Sequence, residues 1–197
     1  MSKFDELAGV LGRRAPVPFP FERIPPEHLP EGGFAPAAVL VPLFEKEGGV
    51  HVLLTRRPPG MRRHAGQISF PGGRVEPGEE SLAAALREAR EEIGLEPGSA
   101  RVLGPLSETI VLLTAFRLTP WVASVPYPYP FLPAPDEVDG ILEVSLEALA
   151  SPGAHRIERR EAWGMTIEVH HFPVGAEVVW GATGRILAEL VELWRAL

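Results

Sequence analysis

The sequence predicts a single α/β domain, and three observations favour that class. The 197 residues are 45% hydrophobic, which is enough for a real core, and the length suits one domain better than two. Two apolar runs joined by a glycine turn near residue 48 indicate a β-hairpin. Residues 79–93 have the apolar periodicity of a long amphipathic helix, and Gly94 is well suited to end it. No internal repeat or linker divides the chain, so the whole of 1–197 is predicted to be one domain.

The remaining elements are assigned along the chain. Residues 3–11 predict a short amphipathic helix, and the seven prolines in 15–36 predict an extended connection, which together form an N-terminal extension over 1–36. The hairpin strands are predicted at 37–44 and 50–55, with the turn at 45–49. Later elements are predicted as strands at 101–107, 116–125, 156–163 and 166–171, a proline-rich loop at 120–135, and a helix at 183–197.

Composition excludes several classes of protein. The absence of cysteine excludes a disulfide scaffold and any metal site with thiolate ligands. No apolar stretch approaches the roughly 18 residues of a membrane span, and the acidic start of the chain does not resemble a signal peptide. A formal net charge of −7 argues against a general nucleic-acid binder, which needs a basic face. We therefore expect a cytoplasmic protein without membrane or nucleic-acid partners.

Three glutamates of the long helix lie on one side of it. At about 100° per residue, Glu88, Glu91 and Glu92 fall within about 60° of a common direction. Like charges at this spacing raise one another's pKa unless a cation intervenes. The helix has an apolar stripe formed by Leu82, Ala85, Leu86, Ala89 and Ile93. A solvated acidic face balanced by neighbouring arginines is one interpretation of the glutamates.

The segment before the helix favours a metal site instead. Residues 70–78 form a turn with three glycines that leads from a strand into the helix. Backbone groups of such a turn can approach a ligand closely. Carboxylate oxygens beside open backbone are suitable ligands for Mg²⁺ or Mn²⁺, which keep bound waters and bridge to phosphates.

These residues resemble the Nudix box, the signature of hydrolases that act on nucleoside diphosphates linked to another group. Gly73, Glu79 and the run 87–95 stand at the spacing of that signature, and Ala89 is its one soft departure. The resemblance implies a Nudix-type α/β/α sandwich with a mixed β-sheet between helices. It also implies that Glu88, Glu91 and Glu92 bind the divalent metal, while Glu79 and Arg87 orient them.

A basic segment precedes the box, with four arginines among the eight residues 56–63. Arginine pairs with phosphate at two points, so this loop predicts a phosphate-rich substrate. The segment also resembles the additional signature of the coenzyme A pyrophosphatase branch, through Arg57, Arg62, Gly66 and the turn at 70–73. Pro58 departs from that signature, and residues 179–183 are also similar to the branch.

The resemblance implies hydrolysis of the pyrophosphate of coenzyme A, or of its derivatives, to 3′,5′-ADP and 4′-phosphopantetheine or its acyl form. Arg57 and Arg62 are the predicted substrate-binding residues, and the protein is expected to be a monomer or homodimer. Glu91 is the predicted catalytic base, because a carboxylate at the edge of the metal cluster can accept the proton of an attacking water. Glu137, on a predicted loop, is the alternative base.

Two other functions are left open by the sequence. The first is a Nudix pyrophosphatase acting on ADP-ribose or NADH, against which the basic segment argues. The second is a non-catalytic nucleotide sensor on the same fold, against which the intact carboxylates argue.

Overall fold

The computed structural model describes residues 2–13, 17–21, 24–60, 66–111, 114–162 and 165–197. Short 3₁₀ turns lie at Pro26–His28 and Pro97–Ser99. In chain order the helices are α1 (Lys3–Leu11), α2 (Ser81–Ile93), α3 (Leu146–Ala150) and α4 (Gly181–Arg195). The strands are β1 (Ala35–Lys46), β2 (Gly49–Arg56), β3 (Ile68–Ser69), β4 (Gly72–Arg74), β5 (Arg101–Pro105), β6 (Thr109–Val111), β7 (Phe116–Ser124), β8 (Gly140–Ser145), β9 (Arg156–Ala162), β10 (Met165–Val174) and β11 (Glu177–Val179).

The main sheet is built around β1. This strand forms the predicted hairpin with β2, where Leu43 faces Val52, and it runs parallel to β7, where Leu40 faces Trp121. The other pairings given for the described residues are antiparallel, with β3 and β8 on β2, β4 on β1, and β5 and β6 on β7. The predicted mixed α/β sheet is therefore confirmed.

Helices cover both faces of this sheet, because successive side chains of β1 point to opposite sides. Ala38 and Leu40 pack in one cluster with the alanines of α2. Val39 and Val41 pack in the other cluster with the apolar side chains of α1, α3 and α4. The result is the predicted α/β/α sandwich.

Helix α2 begins at Ser81, two residues later than its periodicity predicted. Glu80 has an extended backbone, and the Glu79 carboxylate accepts a hydrogen bond from the Glu76 amide at 2.9 Å, which holds the preceding turn in place. The predicted end at Gly94 is confirmed. Its φ of 68° is left-handed, and its amide donates to the carbonyls of Ala89 and Arg90.

Several elements were not predicted. β8 follows the proline-rich loop after a short turn and is followed by α3, and β8 adds to the main sheet beside β2. The predicted strands near residues 156 and 166 do form, but they build a separate sheet in which β10 lies between β9 and β11. Among the described residues, no helix is both long enough and apolar enough to cross a membrane.

Candidate active site

The site forms where β4 meets α2. β4 pairs with β1, so that Gly73 faces Ala38, and the chain then turns into α2. The Gly72 amide donates to Oε2 of Glu92 at 3.3 Å. The glycine turn and the carboxylate helix, which the sequence placed next to each other only along the chain, are therefore in direct contact.

Glu92 is buried, with 3% of its surface exposed. The pKa of this carboxyl is raised to about 8, chiefly by burial and also by the negative charges of Glu137 and Glu88. The positive charge of Arg57 and the Gly72 hydrogen bond lower the pKa but only partly offset that rise. A carboxyl in this environment ionises readily at neutral pH only when more positive charge is brought to it.

Glu88 lies half-buried one helical turn before Glu92. Its Oε1 accepts a hydrogen bond from Nη1 of Arg87 at 2.7 Å. Burial raises the pKa of Glu88, the Arg87 guanidinium lowers it, and the charges of Glu91 and Glu137 raise it again. The pKa values of Glu88 and Glu92 are therefore both raised, although Arg87 pairs with Glu88, and the charge of Glu137 contributes to both shifts.

Arg87 connects the carboxylates to the turn. Its guanidinium makes a two-point contact with Glu79, at 2.9 and 3.0 Å, and donates to the backbone carbonyl of Arg74 at 2.9 Å. The same Nη1 that binds Glu88 also contacts Glu91 at 3.3 Å. This geometry suits the positioning role that was expected of Glu79 and Arg87.

Glu91 lies in a different environment from the other two glutamates. Its side chain is 55% exposed, and it lines a shallow surface pocket rather than the main cleft. Within the ranges that the structure describes, no three carboxylate or imidazole groups converge closely enough to hold an ion as they stand. The metal set of Glu88, Glu91 and Glu92 therefore stays a prediction.

A cleft of about 1790 Å³ opens over this site. Glu88, Glu92, Glu137 and the turn at Gly72 and Gly73 lie along it. These groups offer oxygen ligands only, and the pKa values of Glu88 and Glu92 are raised although Arg87 acts on the first and Arg57 on the second. That donor set fits a hard divalent cation such as Mg²⁺ or Mn²⁺.

Arg57, predicted to bind substrate, also lines the cleft. Its side chain is half-buried, and its Nε is buried without a hydrogen-bond partner. Its positive charge lowers the pKa of Glu92. Arg62, the second predicted substrate residue, lies outside the described residues. The structure therefore brings Arg57 to the carboxylates and gives no position for Arg62.

Sequence reasoning missed most of the cleft wall. Arg159 and Arg160 come from β9, and Trp180 and Arg185 from the start of α4. Only the likeness of residues 179–183 to the coenzyme A branch pointed to any of them. The β9 residues carried no signal, because only the folded chain brings that hairpin to the cleft.

The two glycines of the turn have different functions, which paired substitutions are expected to separate. A Cβ at residue 73 would lie 2.6 Å from Oε2 of Glu88, whose side chain can move. A Cβ at residue 72 would lie 2.6 Å from Cα of Val39, which is sheet backbone. Gly73→Ala should therefore reduce the initial rate of hydrolysis about a hundredfold by displacing Glu88. It should change the free energy of unfolding by less than about 1 kcal/mol.

Gly72→Ala should instead lower the free energy of unfolding by about 1–3 kcal/mol. Urea denaturation and initial rates, measured on both variants, check this division. Equal loss of stability in the two variants would contradict it.

The fold and the match to a family profile together identify a Nudix hydrolase. The family profile described as NUDIX domain matches residues 34–162, more than half of the chain. The matched range contains β4, α2, Arg57 and Glu137. The protein therefore belongs to the Nudix family, and the predicted family is confirmed.

Curated relatives of this chain include proteins named Nudix hydrolase NudL. The chain is similar to the uncharacterized Nudix hydrolase NudL of Cronobacter sakazakii, with 39% identity over 163 residues, 78% of this chain and 80% of that protein. It is also similar to the protein of the same name from Yersinia pestis, with 36% identity over 159 residues, 79% of this chain and 78% of that protein.

Solved structures agree on the fold. A MutT/nudix family protein from Enterococcus faecalis matches with a TM-score of 0.54 and 18% identity, over 100% of this chain and 74% of that one. The Nudix hydrolase RenU of M. smegmatis matches with a TM-score of 0.51 and 24% identity, over 60% of this chain and 74% of that one. At these identities the likeness supports the fold alone.

Proposed function

We propose that this Nudix hydrolase cleaves the pyrophosphate bond of coenzyme A or its derivatives, giving 3′,5′-ADP and 4′-phosphopantetheine or its acyl form. One observation carries the proposal. Arg57, from the segment that resembles the coenzyme A branch, lies in the same cleft as Glu92, and its positive charge lowers the pKa of Glu92. The guanidinium can pair with a diphosphate oxygen while the carboxylates hold a cation.

Nudix hydrolases generally use divalent metals such as Mg²⁺ or Mn²⁺. In this chain Glu88 and Glu92 would hold the ion from the cleft, with Glu91 as the third predicted ligand. When bound, the ion neutralises charge on the diphosphate oxygens and lowers the pKa of the attacking water. Arg87 keeps Glu88 in place, and Arg57 orients the substrate.

Two carboxylates are candidates for the general base. Glu137 lines the cleft, and its charge raises the pKa of both Glu88 and Glu92. Its loop is fixed to α2, because the Ala134 amide donates to the Glu92 carbonyl at 2.9 Å and the Glu137 amide donates to the Ala134 carbonyl at 3.0 Å. Glu91, the base that the sequence favoured, is more than half exposed and contacts Arg87. The geometry therefore favours Glu137.

A comparison of Glu137→Gln with Glu91→Gln tests this preference. We expect Glu137→Gln to lower kcat by about 10²–10⁴, the usual contribution of a general base. It should leave the Mg²⁺ concentration for half-maximal rate nearly unchanged, whereas Glu91→Gln, which removes a predicted metal ligand, should raise that concentration and lower kcat at saturating Mg²⁺ less than Glu137→Gln does. If only Glu91→Gln lowers kcat at saturating Mg²⁺ by this factor, Glu91 is the base.

Product analysis by mass spectrometry tests the proposed function itself. The full chain is incubated with Mg²⁺ or Mn²⁺ and, in separate reactions, with coenzyme A, ADP-ribose and NADH. We expect coenzyme A to turn over fastest, to give 3′,5′-ADP, and to be left intact in excess EDTA. Faster cleavage of ADP-ribose or NADH would favour the alternative pyrophosphatase, and no cleavage of any compound would favour the nucleotide sensor.

The cytoplasmic location, the monomeric or homodimeric state and the assignment of 1–197 to a single domain stay predictions. Size-exclusion chromatography with light scattering checks the oligomeric state directly.

A further inference from the structure

Trp180 presents an exposed aromatic ring on the wall of the cleft. It lies between β11 and α4, lines the cleft and is 47% exposed. Its backbone is extended, with φ of −149° and ψ of −173°, so it continues the side-chain alternation of β11. Val179, the residue before it, is fully buried and pairs with Phe172. The fold therefore holds the ring of Trp180 on the outer side.

The other tryptophans of the described ranges have a structural role. Nε1 of Trp121 donates to Oγ of Ser81 at 3.1 Å, and Trp194 is 7% exposed, with Nζ of Lys3 at 4.5 Å from its ring centroid. Within the same ranges the Trp180 side chain makes no hydrogen bond or ring contact. A large, exposed aromatic face on a concave surface is suited to stacking against the base of a nucleotide.

Arg185 adds a positive charge to the same wall, five residues further along the chain. It is exposed and lines the cleft, and it takes part in no ion pair within the described ranges. Acids that line the cleft on β10 and α4 have other partners. Glu168 lies 3.3 Å from Nε of Arg159, and the Glu189 carboxylate accepts hydrogen bonds from Ser107 at 3.0 and 2.9 Å. An exposed guanidinium without a carboxylate partner is suited to bind a phosphate.

Arg185 and Arg57 act at different places in the cleft. The positive charge of Arg57 lowers the pKa of Glu92, beside the glycine turn. The positive charge of Arg185 acts at β10, where the pKa of His170 is lowered chiefly by burial and further by this charge. The two guanidinium groups can therefore hold two separate anionic groups.

The cleft connects these two places. Ile186, which follows Arg185, lies in one core cluster with Val39, and both residues line the cleft. Val39 in turn pairs with Gly72 of the glycine turn. A single ligand with two phosphate-bearing positions can therefore extend from the turn to the start of α4.

The nucleoside end of coenzyme A is the part that matches both side chains. It combines an aromatic base with a 3′-phosphate, and the ribose that carries this phosphate also carries the diphosphate. The pantetheine arm has neither an aromatic ring nor a charge, so it offers no group for Arg185 to neutralise. Ring and charge therefore select the same occupant.

We propose that Trp180 and Arg185 form the nucleoside subsite of the cleft, with the adenine against the Trp180 ring and the 3′-phosphate at the Arg185 guanidinium. This inference rests on the proposed function, which supplies the ligand, and adds two specificity-determining residues to it. Arg185 distinguishes nucleotides that carry a 3′-phosphate from those that lack it, whereas Trp180 contributes to the binding of both.

Isothermal titration calorimetry of the full chain with Mg²⁺ compares 3′,5′-ADP with 5′-AMP as ligands. We expect the parent to bind 3′,5′-ADP at least about tenfold more tightly. Arg185→Gln should reduce this ratio of affinities to about threefold or less. Arg156→Gln is the matched control, because it removes the same charge from an exposed residue of β9 that is not among those lining the cleft, and it should keep the ratio. Trp180→Leu should weaken both nucleotides about fivefold or more and leave the ratio unchanged.

Equal affinities of the parent for the two nucleotides, or an unchanged ratio in Arg185→Gln, would overturn the inference. An equal loss for both nucleotides in Arg185→Gln would place Arg185 at the 5′-phosphate and would overturn it too. Unchanged affinities in Trp180→Leu would remove Trp180 from the subsite and contradict the inference as stated. Hydrolysis of coenzyme A is assayed separately, so the proposed function can fail while the expected nucleotide affinities still support the subsite.

Thermal unfolding checks that each variant folds. If Trp180→Leu unfolds early, Trp180→Phe replaces it, because phenylalanine keeps an aromatic face. Trp180→Phe should retain the affinity for 3′,5′-ADP and lose the quenching of tryptophan fluorescence that this nucleotide causes in the parent. Undiminished quenching in Trp180→Phe would show that the base stacks elsewhere.

Discussion

Glu92→Gln is expected to lower the rate by about a thousandfold or more at saturating Mg²⁺, which corresponds to several kcal/mol of activation barrier. The substitution keeps the size of the side chain and a group that can accept the Gly72 hydrogen bond. It removes the negative charge that the proposed cation site needs. Because the packing is preserved, the loss should appear in catalysis and metal affinity rather than in folding.

The same variant is expected to be more stable than the parent at alkaline pH without metal. The folded pKa of Glu92 is raised from 4.5 to about 8. Between these values the unfolded chain has released the proton and the folded chain still holds it, so the stability of the parent falls as pH rises. Glu92→Gln lacks this titration and should be more stable at pH 9 in EDTA, by on the order of 5 kcal/mol.

Urea denaturation at about pH 4 and pH 9 in EDTA measures this difference, since it should vanish below the unfolded pKa. Glu96→Gln is the control for charge removal, because Glu96 is exposed and contacts only the exposed Arg90 among the ion pairs described. A Glu92→Gln enzyme within tenfold of the parent rate at saturating Mg²⁺ would refute the role of Glu92.

Arg87→Gln is expected to damage stability and catalysis together. The guanidinium neutralises Glu79 and Glu88 and satisfies the Arg74 carbonyl from a half-buried position. Without it, these groups lose a shared cation, and the free energy of unfolding should fall by about 2–3 kcal/mol. The rate should fall about tenfold to a hundredfold, which is typical when a residue that orients metal ligands is removed.

Arg90→Gln is the matched control on the same helix. Arg90 is 63% exposed and its one described ion pair, to the exposed Glu96, is 3.4 Å long, so its loss should cost less than about 1 kcal/mol. Denaturant midpoints and steady-state kinetics, measured on both variants, test whether Arg87 contributes more than Arg90 to stability and rate. Similar midpoints for Arg87→Gln and Arg90→Gln would show that the Arg87 network contributes nothing to the fold.

Local patterns in the sequence predicted the frame of the site. The periodicity of 79–93 and the left-handed preference of Gly94 placed α2 to within two residues, because a helix and its end depend on near neighbours. The alternating apolar residues of β1 and β2 predicted the hairpin for the same reason. The spacing from Gly73 to Leu95 indicated the Nudix family, which the family match confirmed.

The environment of each glutamate could not be predicted in this way. The helix wheel grouped Glu88, Glu91 and Glu92 as equals, yet Glu92 is buried, Glu88 is half-buried and Glu91 is largely exposed. The difference arises because β4 and the 132–138 loop pack over one side of α2 and leave the other side in water. A wheel records direction around one helix and carries no information about what covers each direction.

The sequence by itself determined the fold class, the carboxylate helix and the glycine turn, since each is encoded within a short span of chain. Only the tertiary structure decided which surfaces meet over that turn. Residues 17–20, the β9–β10 hairpin and the start of α4 line the cleft together. They come from regions far apart in the chain, and none has a pattern that specifies its partner. Their assembly depends on long-range packing of the two sheets and the helices around them, and that packing determines the shape of the cleft.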